Sequence, residues 1–582
     1  MMNNFGSILP LLCFLMYFMP GHLVVAPPPP PPSAHPSRTI CMSGCLCIAD
    51  GTVDCIGKKI DTFPSGLPNT IHHLSLQNNM IEEIPSLELS RLSELQTLNL
   101  QNNLINSNGL AGDSFKSLSN LEYLYLANNR LIVAPQYLPE SLISIDLAAN
   151  QIARIPAPAF KKKPALRSLY LHNNKLTDAG IPAGMLESSN NLEVLILSSN
   201  LLQTVPQGLP SSVYRLHLQN NQLKRLPSGV FENMNFLREL YLQNNNLTND
   251  KLENKALWGA QHLEFLDLSR NQFVHVPQDL PSSLVVLHLE RNHLVRADAR
   301  GLGRLTALEY LVLNHNRLST QGLGAAGLRR MKQLHTLHLH SNRLRKVPYG
   351  LPQGLRALML LHNQINEVRS TDFESSPNIT DLNLSFNILK SNRVHPKAFS
   401  SLTNLLNLDL SGNRFTELPT GLPESLQVVK MEMNRLKAIR DDQLAAFGTL
   451  KELYLATNLL SSSSLGTRAW NGLHSLQILD LSHNSLTEIP AKLPPSLEYL
   501  HLEDNDINHI PNTAFQQTLN LKGIYMRYNR LRAGSISDKV FEGLTQLQAL
   551  DFTGNPGWDK EQKDKKSNNE GNESTTEHMH TG

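Results

Sequence analysis

One nine-residue pattern recurs along this chain and leaves it few folds to choose from. Ile71-His72-His73-Leu74-Ser75-Leu76-Gln77-Asn78-Asn79 reads Leu-x-x-Leu-x-Leu-x-x-Asn, with Ile in the first apolar place. The pattern returns at 95–103, 121–129, 142–150 and onward to 547–555, 21 units in all. The closing asparagines step by 24, 26 and 21 residues, and this 71-residue cycle runs from Asn79 to Asn555 without a slip. Self-similarity at such a period marks a repeat array, in which each unit buries its apolar side only against its neighbours.

The residue types explain the architecture. Alternation in Leu-x-Leu makes a short strand with one apolar face. Stacked units align these strands into a parallel sheet over a continuous leucine core. Each anchor Asn stands where the chain leaves the strand, and its amide offers a donor and an acceptor to backbone groups that would otherwise be buried unpaired. The expected fold class is an α/β repeat solenoid, a leucine-rich-repeat horseshoe with a concave parallel β-sheet and an irregular convex side. The short units carry Val205-Pro206-Gln207-Gly208-Leu209-Pro210 and its equivalents, including Ile489-Pro490-Ala491-Lys492-Leu493-Pro494. Prolines at that spacing impose extended, polyproline-like backbone. The longer units carry Phe instead, as at Phe160, Phe231 and Phe541, and leave room for a helical or 3₁₀ turn.

The ends differ from the array. Residues 1–26 read as a signal peptide, since the apolar stretch from Ile8 to Met19 is too short to span a bilayer and small residues precede a break after Ala26. The rival, a membrane anchor, is opposed by the prolines from Pro27 to Pro32. Residues 27–39 form a Pro-rich leader, 40–68 a cysteine-rich cap, 69–557 the solenoid, and 558–582 a polar tail expected to be disordered. Trp558 is placed to cover the last leucines. Cys41, Cys45, Cys47 and Cys55 crowd into the cap, and no cysteine follows them. An even cluster in a secreted chain reads as two disulfides, with all three pairings open. A zinc site is the rival, opposed by the missing Cys-x-x-Cys spacing.

This cap, followed directly by the 21-24-26 cycle, resembles the small leucine-rich proteoglycans, and the likeness runs from Cys41 to about Asn555. It implies pairing of Cys41 with Cys47 and of Cys45 with Cys55. It also implies a secreted extracellular-matrix protein that binds collagen and restrains cell proliferation. Members with shorter arrays end in a two-cysteine ear, which has no counterpart here.

The concave face is the expected ligand surface, for protein partners such as collagen, other matrix proteins, growth factors or signalling ligands. The residue between the last two leucines of each unit is the most diagnostic: Tyr125, Asp146, Tyr170, His217, Tyr241, Asp267, His288, His338, Asp409, Tyr454 and Asp480, followed by His501, Tyr525 and Asp551. Aromatic and ionisable groups on a preformed surface suit protein recognition at little ordering cost. The bland alternative is that they only solvate the sheet. His315, His335, His338, His340 and His362 fall on three consecutive strands of that face, read as a mildly pH-sensitive patch rather than a metal site. Glycan acceptors stand at Asn246, Asn378, Asn383 and Asn572, and a glycan on Asn383 would cover part of the concave face. Ser228-Gly229 and Ser411-Gly412 lie in ordered repeat and are not read as glycosaminoglycan sites.

No Gly-rich phosphate loop, His-Glu-x-x-His or Gly-x-Ser-x-Gly motif occurs, so neither an enzyme nor a cofactor is expected. A net charge of +2 gives no field for nucleic acid, and no later apolar run is long enough to span a membrane. Two other functions fit the same scaffold: a soluble receptor-like binding module, and an inhibitor of an extracellular enzyme.

Overall fold

The computed structural model describes residues 39–41, 44–48, 51–111, 113–532 and 536–556. The expected signal peptide, the tail with Trp558, and the acceptor Asn572 lie outside them. Every repeat contributes one three-residue strand. The series runs from β4 (His73–Ser75) and β5 (Thr97–Asn99) to β23 (Gly523–Tyr525) and β24 (Ala549–Asp551). Each strand pairs in parallel with the next at the same register, so Leu74 faces Leu98, Leu98 faces Leu124, and the inward leucines form one row. In most strands the middle residue is buried and those on either side are half-buried, as Tyr123, Leu124 and Tyr125 show in β6 (Tyr123–Tyr125), whereas Leu550 in the last strand is exposed. Period-two alternation places the core on one side of the sheet and two outward side chains per strand on the other.

The front of the array is closed by β1 (Thr39–Cys41), β2 (Cys45–Ile48) and β3 (Thr52–Asp54), which pair antiparallel in sequence. β3 then pairs parallel with β4 and joins this cap to the sheet. β1 begins on the last residue of the expected leader. Cys45 and Cys55 are bridged and both buried, and Phe63 and Leu67 of the same segment are buried too. Cys47 is also disulfide-bonded, whereas the side chain of Cys41 lies outside the described residues.

The anchor asparagines form a ladder along the coils. Asn316 is typical: its Oδ1 accepts from Leu294 N in the preceding unit at 3.0 Å, and its Nδ2 donates to Leu289 O and Leu313 O, each at 3.0 Å. Asn79 makes the equivalent bonds to the cap, through Ile60 N and Cys55 O. The residue before each anchor is left-handed in nearly every unit, with Asn78, Asn102 and Asn128 as examples and even Phe386 and Tyr528 held there. In the next unit after each of these two aromatics the same position is a glycine. A Cβ on Gly412 would meet the Phe386 ring at 2.5 Å, and one on Gly554 would meet the Tyr528 ring at 2.4 Å.

The convex side bears a second ladder. Ser107, Asp178, Asn249, Thr320, Ser391 and Ser462 follow one another at the 71-residue cycle. Each side chain accepts from two backbone N–H groups of the following short unit. Asp178 Oδ1 takes Gln203 N and Thr204 N, and Ser391 Oγ takes Thr416 N and Glu417 N. Ser107, Asn249, Thr320 and Ser462 do the same. Four of the six begin a 3₁₀ turn, and α1 (Ser86–Ser90), α2 (Ala299–Leu302) and α3 (Ala325–Leu328) are the described α-helices. Phe115, Phe160, Phe231, Phe373, Phe399 and Phe515 fill the space beneath the longer units and are fully buried.

Candidate ligand-binding face

Position in the coil decides which side chains reach the outer face of the sheet. All the diagnostic residues end their strands and point outward: Tyr125, Asp146, Tyr170, His217, Tyr241, Asp267, His288, His338, Asp409, Tyr454 and Asp480. The first residue of each strand shares that face. This second row, including Tyr123, Arg215, Glu239, Phe265 and Tyr310, escaped the sequence reading, although the same alternation identifies it.

The two rows lock one another in place. Arg215 in β10 (Arg215–His217) donates twice to Glu239 in β11 (Glu239–Tyr241), at 2.6 and 2.7 Å. The Tyr241 hydroxyl donates to the same carboxylate at 3.0 Å. Ring contacts run across four successive strands: His217 stacks on Tyr241 at 4.0 Å, and tilted contacts join Tyr241 to Phe265 at 4.8 Å and Phe265 to His288 at 5.5 Å between centroids. Burial raises the Tyr241 phenol, with the Glu239 charge adding to it, and burial lowers His217 to about 4. The rings thus lie side by side, flanked by the Arg215–Glu239 ion pair.

Further along, the expected histidine patch is only partly assembled. Of its five members only His338 lies within a strand, β15 (Thr336–His338). His315 and His362 occupy the left-handed turn position after their strands. His340 stands 5.1 Å from His315 and 6.2 Å from His338, ring to ring, while His335 faces Glu309 at 3.8 Å and His362 stacks on Phe386. Burial, reinforced by neighbouring histidines, lowers His338 and His340 to about 4. Among the described residues no group of three or more His, Cys, Asp or Glu is disposed to hold a metal ion.

The final third of the face is acidic. Asp409, Glu432 and Asp480 gather there, and burial together with the Asp480 charge raises the Glu432 carboxyl. Of the acceptor asparagines, Asn246 and Asn378 are exposed. Asn383 is committed within the sheet: its Nδ2 donates to Asp409 at 3.2 Å and its Oδ1 accepts from Ser385 N and Oγ. Ser411 is buried.

The comparisons carry the same period. A leucine rich repeat family matches 69–131, 140–202, 211–273, 282–344, 353–415, 424–491 and 495–556, each match starting 71 residues after the last. Podocan of Mus musculus is 49% identical over 520 residues, covering 89% of this chain and 85% of that protein. Lumican of Gallus gallus is 35% identical over 236 residues, 40% of this chain and 68% of its own length. The chain belongs to the small leucine-rich proteoglycan family. Its likeness to podocan extends over nearly the whole repeat array, whereas lumican matches a shorter run of coils. Among solved structures, YopM from Yersinia enterocolitica shares the fold at a TM-score of 0.51 and 22% identity, covering 87% of each chain. No described helix is long and apolar enough to cross a membrane.

Proposed function

We propose that this chain is a secreted matrix protein whose concave face binds collagen or another extended matrix partner. On this reading it also engages growth factors or signalling ligands and restrains cell proliferation, as the family resemblance implies. One observation carries the reading: the outward side chains of β4 to β24 stand in continuous register on a single sheet. The rings from His217 to His288 are already in contact, and Tyr241 is hydrogen-bonded to Glu239, so a partner meets little ordering cost there. A solid-phase panel of fibrillar collagens and growth factors tests the proposal, using the protein secreted from animal cells. A Tyr170→Ala, Tyr241→Ala double variant should lose at least about tenfold in affinity, the scale of one or two interface anchors. Unchanged collagen binding by that variant would place the partner elsewhere.

A further inference from the structure

The cations of this chain are unevenly spread. Residues 291–356 hold 12 of its 52 Lys and Arg but only Asp298 and Glu309 of its 50 acidic residues, a net +10 in a chain whose total is +2. Ten of the twelve are Arg. Part of this charge is matched on the spot. Arg296 pairs with Asp298 at 3.6 Å, Arg304 with Asp279 at 3.6 Å, and Lys346 with Glu367 at 3.0 Å. Four other arginines are not matched. Arg270, just before the segment, and Arg291, Arg317 and Arg343 within it come from four successive coils and are all exposed. Among the described residues no carboxylate pairs with any of them, and Glu290 senses the Arg270 charge without an ion pair to it.

All four flank a buried anchor. Arg270 and Arg291 stand directly before Asn271 and Asn292, and Arg317 and Arg343 directly after Asn316 and Asn342. These places form a rim where the chain leaves the sheet, and side chains of adjacent coils meet along it. Elsewhere on the rim the neighbours are complementary: Asn102 donates to Asn78 at 2.7 Å, His483 faces Asp504 at 3.4 Å, and Arg530 pairs with Asp506 at 2.6 Å. Here Arg270 is followed by Arg291 in the row before the anchors, and Arg317 by Arg343 in the row after them. Like charges set side by side repel. The backbone adds to the cost, because Arg270 and Arg291 are held left-handed where Asn78, Asn102 and Asn128 bring the better-suited residue. The positive field reaches His315, next in that row: burial and then the Arg291 charge lower it, with His362 and Arg270 adding to them.

From this row of unmatched guanidinium groups, set like beside like, we propose that the rim from Arg270 to Arg343 binds a sulfated glycosaminoglycan chain, on a surface separate from the concave face. Charge complementarity calls for a polyanion. The residue type calls for oxyanions, since the planar guanidinium donates in a fork that fits the oxygens of a sulfate or carboxylate. The spacing calls for a linear polymer laid across the coils. Neighbouring strands stand about 4.8 Å apart, so such a chain meets one guanidinium per coil over roughly 14 Å. A sulfated sugar chain carries sulfate and carboxylate groups along its whole length, and a few sugars cover that span. The family is one of extracellular-matrix proteins, and such chains are the abundant polyanions of the matrix.

The test uses the full secreted chain with a short heparin oligosaccharide and a poly-glutamate peptide of equal charge, at physiological salt. The wild-type chain should bind the oligosaccharide with an affinity that falls steeply as salt rises. It should bind the peptide at least about tenfold more weakly, because the stiff sugar chain loses less freedom on binding. Replacing Arg270, Arg291, Arg317 and Arg343 together by Gln should weaken oligosaccharide binding at least about tenfold, the sum of four exposed charge contacts. Either neighbouring pair alone, R270Q with R291Q or R317Q with R343Q, should lose about threefold, so the result does not hang on the folding of one variant. Arg329→Gln with Arg330→Gln, on the turn after α3, removes as much charge as either pair and should cost less than about twofold. The proposal is overturned if the wild-type chain binds no oligosaccharide or binds the peptide equally well. It is also overturned if the rim variants bind like wild type, or if the Arg329, Arg330 variant loses as much as they do. Loss of oligosaccharide binding in the Tyr170, Tyr241 variant would put the sugar on the concave face and sink the rim site.

Discussion

Backbone bonds join neighbouring units on both sides of the coils, on the convex side as when Ala134 N donates to Arg154 O at 3.2 Å, and the two sides differ in what side chains add. On the concave side the strands bond backbone to backbone, as when Leu100 N donates to Tyr125 O at 2.8 Å, and the outward side chains take no part in that ladder. On the convex side a polar side chain at one place in each cycle receives the N–H groups of the next unit. Where a side chain adds to the backbone bonding its identity is restricted, and where none does the side chain is free to vary. That difference is why the concave face ranges from aromatic to acidic along its length, whereas Ser107, Asp178, Asn249, Thr320, Ser391 and Ser462 are all short acceptors.

The largest effect should come from the anchor ladder, which serves both sides. Asn316→Ala strands the buried Leu294 N, while Leu289 O and Leu313 O keep the amides of Asn292 and Asn342, at about 1–3 kcal/mol. Its unfolding midpoint in denaturant should fall clearly, and an unchanged midpoint would remove the ladder from the account of stability. A comparable effect, on the order of a few kcal/mol in sum once discounted for partial exposure, follows from the concave histidines. His217, His338 and His340 are lowered by burial to about 4, so their unfolded forms bind protons first as the pH falls. Their contribution is complete above about pH 6.5 and is lost as the pH drops toward about 4. Chemical denaturation across that window should show declining stability, and a His338→Gln, His340→Gln variant should flatten the slope. The smallest effect should be that of Ser391→Ala. Thr416 N and Glu417 N lose their acceptor, but the site is exposed and water replaces it, at about 0.5–1 kcal/mol. Should Ser391→Ala cost as much as Asn316→Ala, the contrast between the two sides fails.

Much of this was readable from residue order. The Leu and Asn positions predicted every repeat strand and the anchor contacts, because a backbone-paired coil repeats its geometry wherever the motif repeats. The second convex ladder was equally legible in principle. Its members differ in identity, however, and only their 71-residue spacing links Ser107 to Asp178 and Asn249. The second row of outward residues, Tyr123 and Phe265 among them, follows from the same alternation applied to both strand ends. What order did not reveal was contact. Nothing in the spacing shows that the Phe265 ring lies between those of Tyr241 and His288, or that His315 and His335 turn to different neighbours.

The sequence by itself determined the coil, its period, and which side chains reach the concave face, since those follow from local alternation and from the need to pair buried backbone groups. Tertiary structure decided the chemistry of that face. Burial, ring stacking and cross-strand charge arise only when units distant in the chain are laid side by side. They make Asp267 and His288 partners and set His217 and His338 neutral.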